Sequence, residues 1–556
     1  MLTVTPTTYP VASDPSSPYR PRHVSNDPTE KQPPIRDDAK TAGRGFLVIT
    51  AAKLWFMVGG ALITFGLPYI FARYGDGRAL YGQYYDLNNI LSIFSMVMVS
   101  GVMQSIAKFV AARPDQAGGV VRQMRTMMLV LGTLIGGGFM VAAPTIALSR
   151  GNPDLVLGYR AAGLILFCYG IYTVYIGTLN GRKLFFRQAL YDFGFTTLKA
   201  TLVLGMALAG FGVIGAFSGF AAAAVIIMCL AIWRVGPSLG EGPREPSLYA
   251  FAAKVIVYTV VFNLIFKLDG VLIKPALMEF LAEDMGWLPG VQSLGEWMSS
   301  AGELAGQMQN QSDRLMADYG MAVALSRMPW QATIAITFVV FPMVSAATFQ
   351  NDRARTQLYI RQTMRYTMLL VGAAAVVLMA VPQAVFGVLP ADYAGGAEPL
   401  VWLAPAYFFF SMFNVINTLL ISADRAGSAL VIGVATLALA AALYLTIMTD
   451  ASSAEGLLTR AGACTLIAFA VGTALGLGAL WREYGAPMPA MSVVRVGLVG
   501  AALFVAGRMA PPLGKIGSIG LAVGIGLAYV IALFIIREFD AEDRARFGKI
   551  IRRGRK

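Results

Sequence analysis

The sequence predicts an all-α polytopic membrane protein with about 14 transmembrane helices, arranged as two pseudo-symmetric six-helix bundles plus two C-terminal helices. Composition is the first indication, because the 556 residues are 56% hydrophobic and 13% charged, whereas about a quarter of an ordinary soluble chain is charged. The second is that apolar runs of about 20 residues recur to the C-terminus, and each can cross ~30 Å of hydrocarbon. These runs lack the alternation of a β-barrel strand. The third is a repeat that relates the two halves.

The chain divides into five predicted regions. The first holds eight prolines and no apolar period, which is typical of disorder. The regions are a disordered cytoplasmic tail (1–43), a first bundle (44–236), a second bundle (237–482) interrupted by a soluble outer segment at about 275–329, two extra helices (483–536) and a basic cytoplasmic tail (537–556). The predicted spans are 46–72, 82–107, 126–148, 158–179, 189–210, 213–233, 252–274, 330–349, 364–382, 398–421, 428–448, 459–481, 493–510 and 517–536. The basic tail has two interpretations, an amphipathic helix on anionic lipid or a solvated segment that fixes topology.

Loop charges orient these spans. With both termini cytoplasmic, 31 lysines and arginines lie on the inner side, 10 on the outer side and three within spans. This asymmetry follows the positive-inside rule, and it accounts for the net charge of +13 without a nucleic-acid partner. The three cysteines lie inside apolar runs without metal-ligand spacing, and the single histidine, His23, lies in the N-terminal tail. We therefore expect no metal site and no cofactor.

An internal repeat relates the two bundles. Tyr81-Gly82 before span 2 matches Tyr319-Gly320 before span 8, an offset of 238, and Lys53 matches Lys254 at an offset of 201. The difference predicts an insertion of about 37 residues in the outer segment. A third similarity joins Thr178–Arg182 to Leu420–Arg425. Both halves start on the same side, so the repeat is parallel, and transporters built in this way bind substrate between the halves.

Four features carry a resemblance to a known family. They are Tyr81-Gly82 opening span 2, Gly177–Arg182 closing span 4, Phe341-Pro342 inside span 8, and spans grouped six, six and two. Over residues 45–540 the chain resembles the oligosaccharidyl-lipid (polysaccharide) flippases, in the superfamily that also holds multidrug antiporters and lipid II flippases. The long outer segment departs from the short connection usual in that family.

The resemblance implies a bacterial inner-membrane protein that is not an enzyme. It would move an undecaprenyl-diphosphate-linked oligosaccharide from the cytoplasmic to the periplasmic leaflet by alternating access. Its partners would be that lipid-linked sugar, membrane lipids and, through segment 275–329, polysaccharide assembly proteins. Since the chain shows no Walker A motif, an ion gradient, the membrane potential or downstream sugar consumption would drive transport.

Polar residues inside apolar spans are candidates for substrate contact, because charges at membrane depth are costly and usually functional. Lys53, Lys254 and Lys267 are candidates for the diphosphate, although Lys53 and Lys254 could instead extend toward inner headgroups. Asn88, Asn89 and Asn263 are candidates for the sugar, or for hydrogen bonds between helices. This group comprises Lys53, Lys254, Lys267, Asn88, Asn89 and Asn263.

Three further charges and two prolines are candidates for coupling and for motion. Asp269 could be a protonatable coupling group or the partner of a base on another helix. Asp192 and Lys199 lie seven residues apart on one face of span 5, which predicts either coupling or a structural network within the first bundle. Pro68 and Pro342 can bend their helices, because proline removes a backbone donor.

Two other functions remain open. A cation-coupled multidrug antiporter on the same scaffold would have mainly acidic cavity walls, whereas the spans hold three lysines and two aspartates. A membrane polymerase or ligase would use acidic residues of the outer segment, such as Glu279, Glu283 and Glu296. That segment has no histidine.

Overall fold

The computed structural model describes residues 35–112, 114, 117–239, 242–284, 302–423, 425–485, 487–511 and 513–539. Over these residues the fold is helical, with no β-strand. Both predicted terminal tails lie mainly outside the described residues.

Seventeen helices follow one another along the described chain. They are α1 (Ile35–Phe71), α2 (Gly77–Met96), α3 (Val102–Ala112), α4 (Ala117–Gly132), α5 (Gly138–Ser149), α6 (Val156–Gly181), α7 (Phe185–Met206), α8 (Gly212–Val235), α9 (Leu248–Asp284), α10 (Gly302–Phe349), α11 (Arg353–Ala380), α12 (Pro382–Phe386), α13 (Ala397–Ser422), α14 (Ala426–Leu443), α15 (Ala454–Tyr484), α16 (Ala490–Arg508) and α17 (Lys515–Ile535). Short π-helical segments continue α2 into α3 and α4 into α5, so each pair forms one long helical rod.

Helix boundaries follow from local chemistry. Asp76 caps α2 by accepting a hydrogen bond from the Ala79 amide, and Asp352 caps α11 in the same way through Arg355, which satisfies donors that a helix start leaves free. The chain reverses between α7 and α8 at Gly210 (φ 87°) and Gly212 (φ 57°). Only glycine adopts these angles without strain, so this turn separates two helices within one continuous apolar run.

The helices form two bundles and a terminal pair. In the first bundle α7 packs along α1 and α8, and α6 packs along α3 and α8. In the second, α13 lies among α10, α11 and α15. Helices α16 and α17 pack on α11, where the buried Glu538 accepts hydrogen bonds from Arg365 (2.9 Å) and Ser492 (2.5 Å). We call the end at which α1 leads into α2 the outer end, and the opposite end the inner end.

The chain is a multi-pass membrane protein. Twelve helical runs of the described residues are long and apolar enough to cross a bilayer. One of them, Phe185–Val235, contains the two helices α7 and α8, and α10 is not among the twelve. Every predicted span overlaps a helix, but the number fourteen stays a prediction, as do the domain boundaries.

The predicted outer segment at 275–329 is helical over the part that the structure describes. Helix α9 continues to Asp284 and α10 begins at Gly302. Met308, Leu315, Met316 and Tyr319 are buried, because this part of α10 packs against α2 of the first bundle. Residues 285–301 lie outside the described residues.

Candidate functional site

A buried polar cluster around Asp313 joins the two bundles at the outer end. Its carboxylate is paired with the ammonium of Lys274 from α9, and both side chains are fully buried. The first bundle contributes Gln83, which donates to Oδ2 (3.0 Å), and Asn152, which donates to Oδ1 (3.1 Å). The ion pair lies within the second bundle, and the two amide hydrogen bonds to Asp313 cross from the first bundle. Through these two bonds the cluster joins the bundles at the outer end.

Two further ion pairs join the same helices nearer the surface. Arg78 of α2 donates through Nε to Asp318 of α10 (3.1 Å), and Arg314 of α10 donates to Asp76 (2.6 Å). Burial alone would favour the neutral form of Asp76. The Ala79 amide and the Arg314 guanidinium outweigh it and lower the pKa of this loop carboxyl. Each bundle thus contributes one arginine and one aspartate to these two ion pairs.

Arg150 ties a third helix of the first bundle into the closure. Its guanidinium is ion-paired with Asp86 of α2, with Nε at 3.0 Å from Oδ2. Its Nη1 also donates to the carbonyl of Val271 in α9 (2.9 Å). The hydrogen bond to Val271 crosses between the bundles, so the ion pair with Asp86 orients the Arg150 guanidinium toward the second bundle.

The two Tyr-Gly motifs meet at this interface. A Cβ on Gly82 would overlap the carbonyl group of Asp313, and a Cβ on Gly320 would overlap the ring of Tyr85. Gly270 of α9 is in similar contact with the Asn89 amide. Small residues permit this approach of two backbones in a membrane. The repeated glycines are therefore explained by packing between α2 and α10.

A second polar cluster lies deeper, where α9, α10 and α13 meet. Arg327 donates to the Tyr407 hydroxyl (2.7 Å) and to the Phe266 carbonyl (2.6 Å). Its guanidinium is 3.7 Å from the carboxylate of Asp269 and 4.1 Å from the Phe266 ring centroid. Tyr319 donates to the other Asp269 oxygen (3.1 Å). Asp269 thus has a base from another helix as partner, which is one of the two roles that the sequence left open.

The predicted lysines do not form one site. Lys53 of α1 donates to Asp192 of α7 (3.1 Å) and keeps 42% of its side chain exposed. Lys254 is exposed at the inner end of α9. Lys267 is half-buried, with its ammonium 5.6 Å from the Phe266 ring. Lys53 and Lys254 therefore have different surroundings despite their shared register.

Asp192 and Lys199 have separate partners. Asp192 is bound to Lys53, whereas Lys199 lies over the Phe220 ring at 3.8 Å. The sequence predicted either coupling or a network for Asp192 and Lys199, but the structure pairs Asp192 with Lys53 and places Lys199 on Phe220.

The predicted amides lie at the contact between α2 and α9. Asn89 donates to the Lys267 carbonyl (3.3 Å), and Asn263 donates to the Ile93 carbonyl (2.6 Å). Both bonds cross between the bundles, and each amide retains a buried oxygen without a hydrogen-bond partner among the described residues. Asn88 is half-buried on α2. Their contact with sugar stays a prediction.

The hinge candidates lie within continuous helices. Pro68 is buried in α1, which runs unbroken to Phe71. Helix α10 continues through position 342, and the side chain of Pro342 lies outside the described ones. Hinging stays a prediction for both.

At the inner end the bundles touch on one side. Lys108 of α3 lies over the Phe251 ring of α9 at 3.7 Å, and Gln123 of α4 accepts a hydrogen bond from the Glu245 amide (2.7 Å). On the other side, for the described residues, no hydrogen bond or ion pair joins residues 48–60 of α1 to the second bundle. The closure is therefore strongest at the outer end.

Sequence reasoning missed Arg327, Lys274 and Asp313, because it placed all three in or beside a soluble outer segment. One signal could have identified Arg327. At the offset of 238 set by the Tyr-Gly motifs, position 327 corresponds to Asn89, which was a candidate.

The described helices form two membrane bundles that polar clusters join at the outer end. The structure resembles that of the lipid II flippase MurJ in its inward closed conformation, with a TM-score of 0.64 and 11% identity over 88% of this chain and 99% of that chain. It also resembles an inward-facing multidrug resistance MATE family transporter of the MOP superfamily (TM-score 0.55, 13% identity, 79% of this chain and 98% of the other). These matches show a shared fold.

A third similar structure is a MOP superfamily transporter from Pyrococcus furiosus, with a TM-score of 0.52 and 15% identity over 78% of this chain and 94% of that chain. Residues 78–279 match the family described as polysaccharide biosynthesis protein. The comparison with curated proteins gave no match. The predicted resemblance is confirmed, by the family match over residues 78–279 and by the fold shared with the lipid II flippase and the MATE transporter.

Proposed function

We propose that the chain moves a lipid-linked oligosaccharide of the undecaprenyl-diphosphate type from the cytoplasmic to the periplasmic leaflet of a bacterial inner membrane. The two bundles would alternate between closure at the outer end and closure at the inner end. The match of residues 78–279 to polysaccharide biosynthesis proteins supports the sugar substrate.

The observation that carries the mechanism is the polar closure of the outer end. Its contacts between the bundles are the ion pairs Arg78–Asp318 and Arg314–Asp76 and the hydrogen bonds that Gln83 and Asn152 donate to Asp313. When the bundles separate, water can replace these partners, so rigid-body opening is less costly than separating an apolar core. Closure outside and weaker contact inside correspond to a conformation that receives substrate from the cytoplasm.

The cations at membrane depth suit a diphosphate. Lys53 is half-exposed on the inner side of the outer closure, whereas Lys267 is half-buried and Arg327 is buried. Lysine and arginine bind phosphate oxygens strongly in a site of low dielectric. We infer that Lys53 receives the diphosphate first and that the deeper cations hold it when the bundles move apart.

The test is depletion of the protein in its host, followed by lipid analysis with leaflet-selective labelling. The expected result is accumulation of the lipid-linked precursor in the cytoplasmic leaflet and loss of the exported glycan. An unchanged precursor pool would contradict the proposal.

A cation-coupled multidrug antiporter is the second candidate. Its support is the similarity to MATE transporters and the Asp269 oxygen Oδ1, which has no hydrogen-bond partner among the described residues and lies 3.7 Å from Arg327. The discriminating measurement is susceptibility to cationic drugs after deletion. Sensitisation without precursor accumulation would favour the antiporter.

The surface available for docking of partner proteins is smaller than the whole outer segment 275–329. Residues 305–329 pack into the closure, whereas Glu279, Glu283 and Asp284 are exposed at the outer end of α9. We propose that this acidic tip contacts polysaccharide assembly proteins. Its test is neutralisation of the three carboxylates to amides, because deleting 279–313 would also remove Asp313. Unimpaired export and unchanged co-purification of assembly proteins would contradict it.

A further inference from the structure

A groove on the first bundle at the inner end is separate from the interface between the bundles. It lies between α6, α7 and α8 and has a volume of about 690 Å³, within the range of small-molecule sites. Its lining includes Leu179, Arg187, Leu190, Tyr191, Ile227 and Arg234. All of these belong to the first bundle.

The groove is apolar with two cations at its wall. Arg187 and Arg234 are exposed and line the groove together with Tyr191. Among the described residues no Asp or Glu lines the groove, and the nearby Asp192 is bound to Lys53. Among the described residues, neither arginine has an ion pair. Over the described residues the charge at the groove wall is positive.

The surroundings place this charge at a membrane surface. Phe186 and Trp233 are 71% and 65% exposed, and the Arg234 guanidinium lies over the Trp233 ring at 4.3 Å. Exposed aromatic residues and arginines are typical of the headgroup level. Leu190, 62% exposed, continues the apolar surface deeper toward hydrocarbon.

We propose that this groove binds an anionic glycerophospholipid of the inner leaflet. The phosphate lies between Arg187 and Arg234, the Tyr191 hydroxyl donates to it, and an acyl chain follows Leu190 and Ile227. Basic grooves between helices on the cytoplasmic side suit acidic headgroups. Free phosphate would leave the apolar walls without a partner. This proposal does not depend on the transported substrate.

The test measures lipid binding by native mass spectrometry of the purified full chain. Phosphatidylglycerol, phosphatidylcholine, farnesyl diphosphate and inorganic phosphate are titrated separately. Wild type is compared with Arg187→Gln/Arg234→Gln and with a matched control, Arg125→Gln/Arg482→Gln, which removes two exposed arginines outside the groove. Wild type and control should bind phosphatidylglycerol at least tenfold more tightly than phosphatidylcholine, and the groove variant should lose that preference.

Two further variants keep the result clear if the double glutamine variant does not fold. Arg187→Lys/Arg234→Lys retains charge and should keep most of the preference. Leu190→Trp fills the groove, keeps both arginines, and should weaken phosphatidylglycerol binding. Undiminished phosphatidylglycerol binding in the folded groove variant would overturn the proposal. Tighter binding of farnesyl diphosphate through the same arginines, or displacement of phosphatidylglycerol by inorganic phosphate, would overturn the assigned occupant.

Discussion

Gly82 of α2 lies directly against the backbone carbonyl of Asp313 in α10, where a methyl group would overlap it. The same Asp313 binds Lys274 through its side chain. Asp313 thus supplies the close backbone contact between the bundles and, within the second bundle, one member of a buried ion pair. Since the two backbones meet there, substitutions at this point should weaken the contact between the bundles more than they destabilise either bundle.

Gly82→Ala should open the outer end. The added methyl group overlaps a backbone atom that cannot rotate away, and such overpacking costs about 1–3 kcal/mol. The measurement is labelling of Ser312→Cys by a membrane-impermeant maleimide in a Cys229→Ser background, because Ser312 is buried beside Asp313. Labelling should rise several-fold with Gly82→Ala. Gly60→Ala, which adds a methyl into open space, is the control and should leave labelling unchanged.

The pair Lys274–Asp313 should show strong non-additivity. Asp313→Leu leaves the buried Lys274 ammonium unpaired, and Lys274→Met leaves the buried Asp313 carboxylate without its cation. Each single substitution should lower the free energy of unfolding by about 3–5 kcal/mol. The double variant should recover most of the loss in thermal melting of the purified protein. Equal losses that simply add would show that the two side chains act independently.

Arg327→Lys should reduce turnover of the lipid-linked oligosaccharide in proteoliposomes by about tenfold or more. An ammonium cannot reach the Tyr407 hydroxyl, the Phe266 carbonyl and Asp269 together, and each hydrogen bond to a charged group is worth about 1.5–3 kcal/mol. Arg160→Lys, an exposed arginine of α6, should have no effect. Full activity of Arg327→Lys would show that only the charge matters.

Lys53→Gln and Asp192→Asn should differ, although their side chains are 3.1 Å apart. If Lys53 receives the diphosphate, its loss should raise KM several-fold, whereas losing Asp192 frees the ammonium and should leave KM equal or lower. The measurement is initial turnover against substrate concentration. Equal impairment by both variants would identify a structural pair and exclude Lys53 from substrate binding.

Much of the fold followed from the sequence. In lipid every backbone polar group must be satisfied within the segment, so long apolar runs can only be helices. The Tyr-Gly repeat correctly indicated related positions in α2 and α10. The site followed less well, because its contacts join residues far apart, such as Arg78 and Asp318, 240 positions away. Hydropathy alone did not place the first half of α10 in a bundle, because its polar side chains have their partners on other helices.

The sequence by itself therefore determined the helical class, the membrane location of the chain, the twofold repeat and most helix boundaries. These depend on local composition and on hydrogen bonds within each helix. Only the tertiary structure decided which charges are neutralised, that Lys274 and Asp313 are buried together, that Arg327 joins Asp269, and that Lys53 binds Asp192. The sequence around a charged residue does not identify its partner, because the partner is determined by how two helices pack.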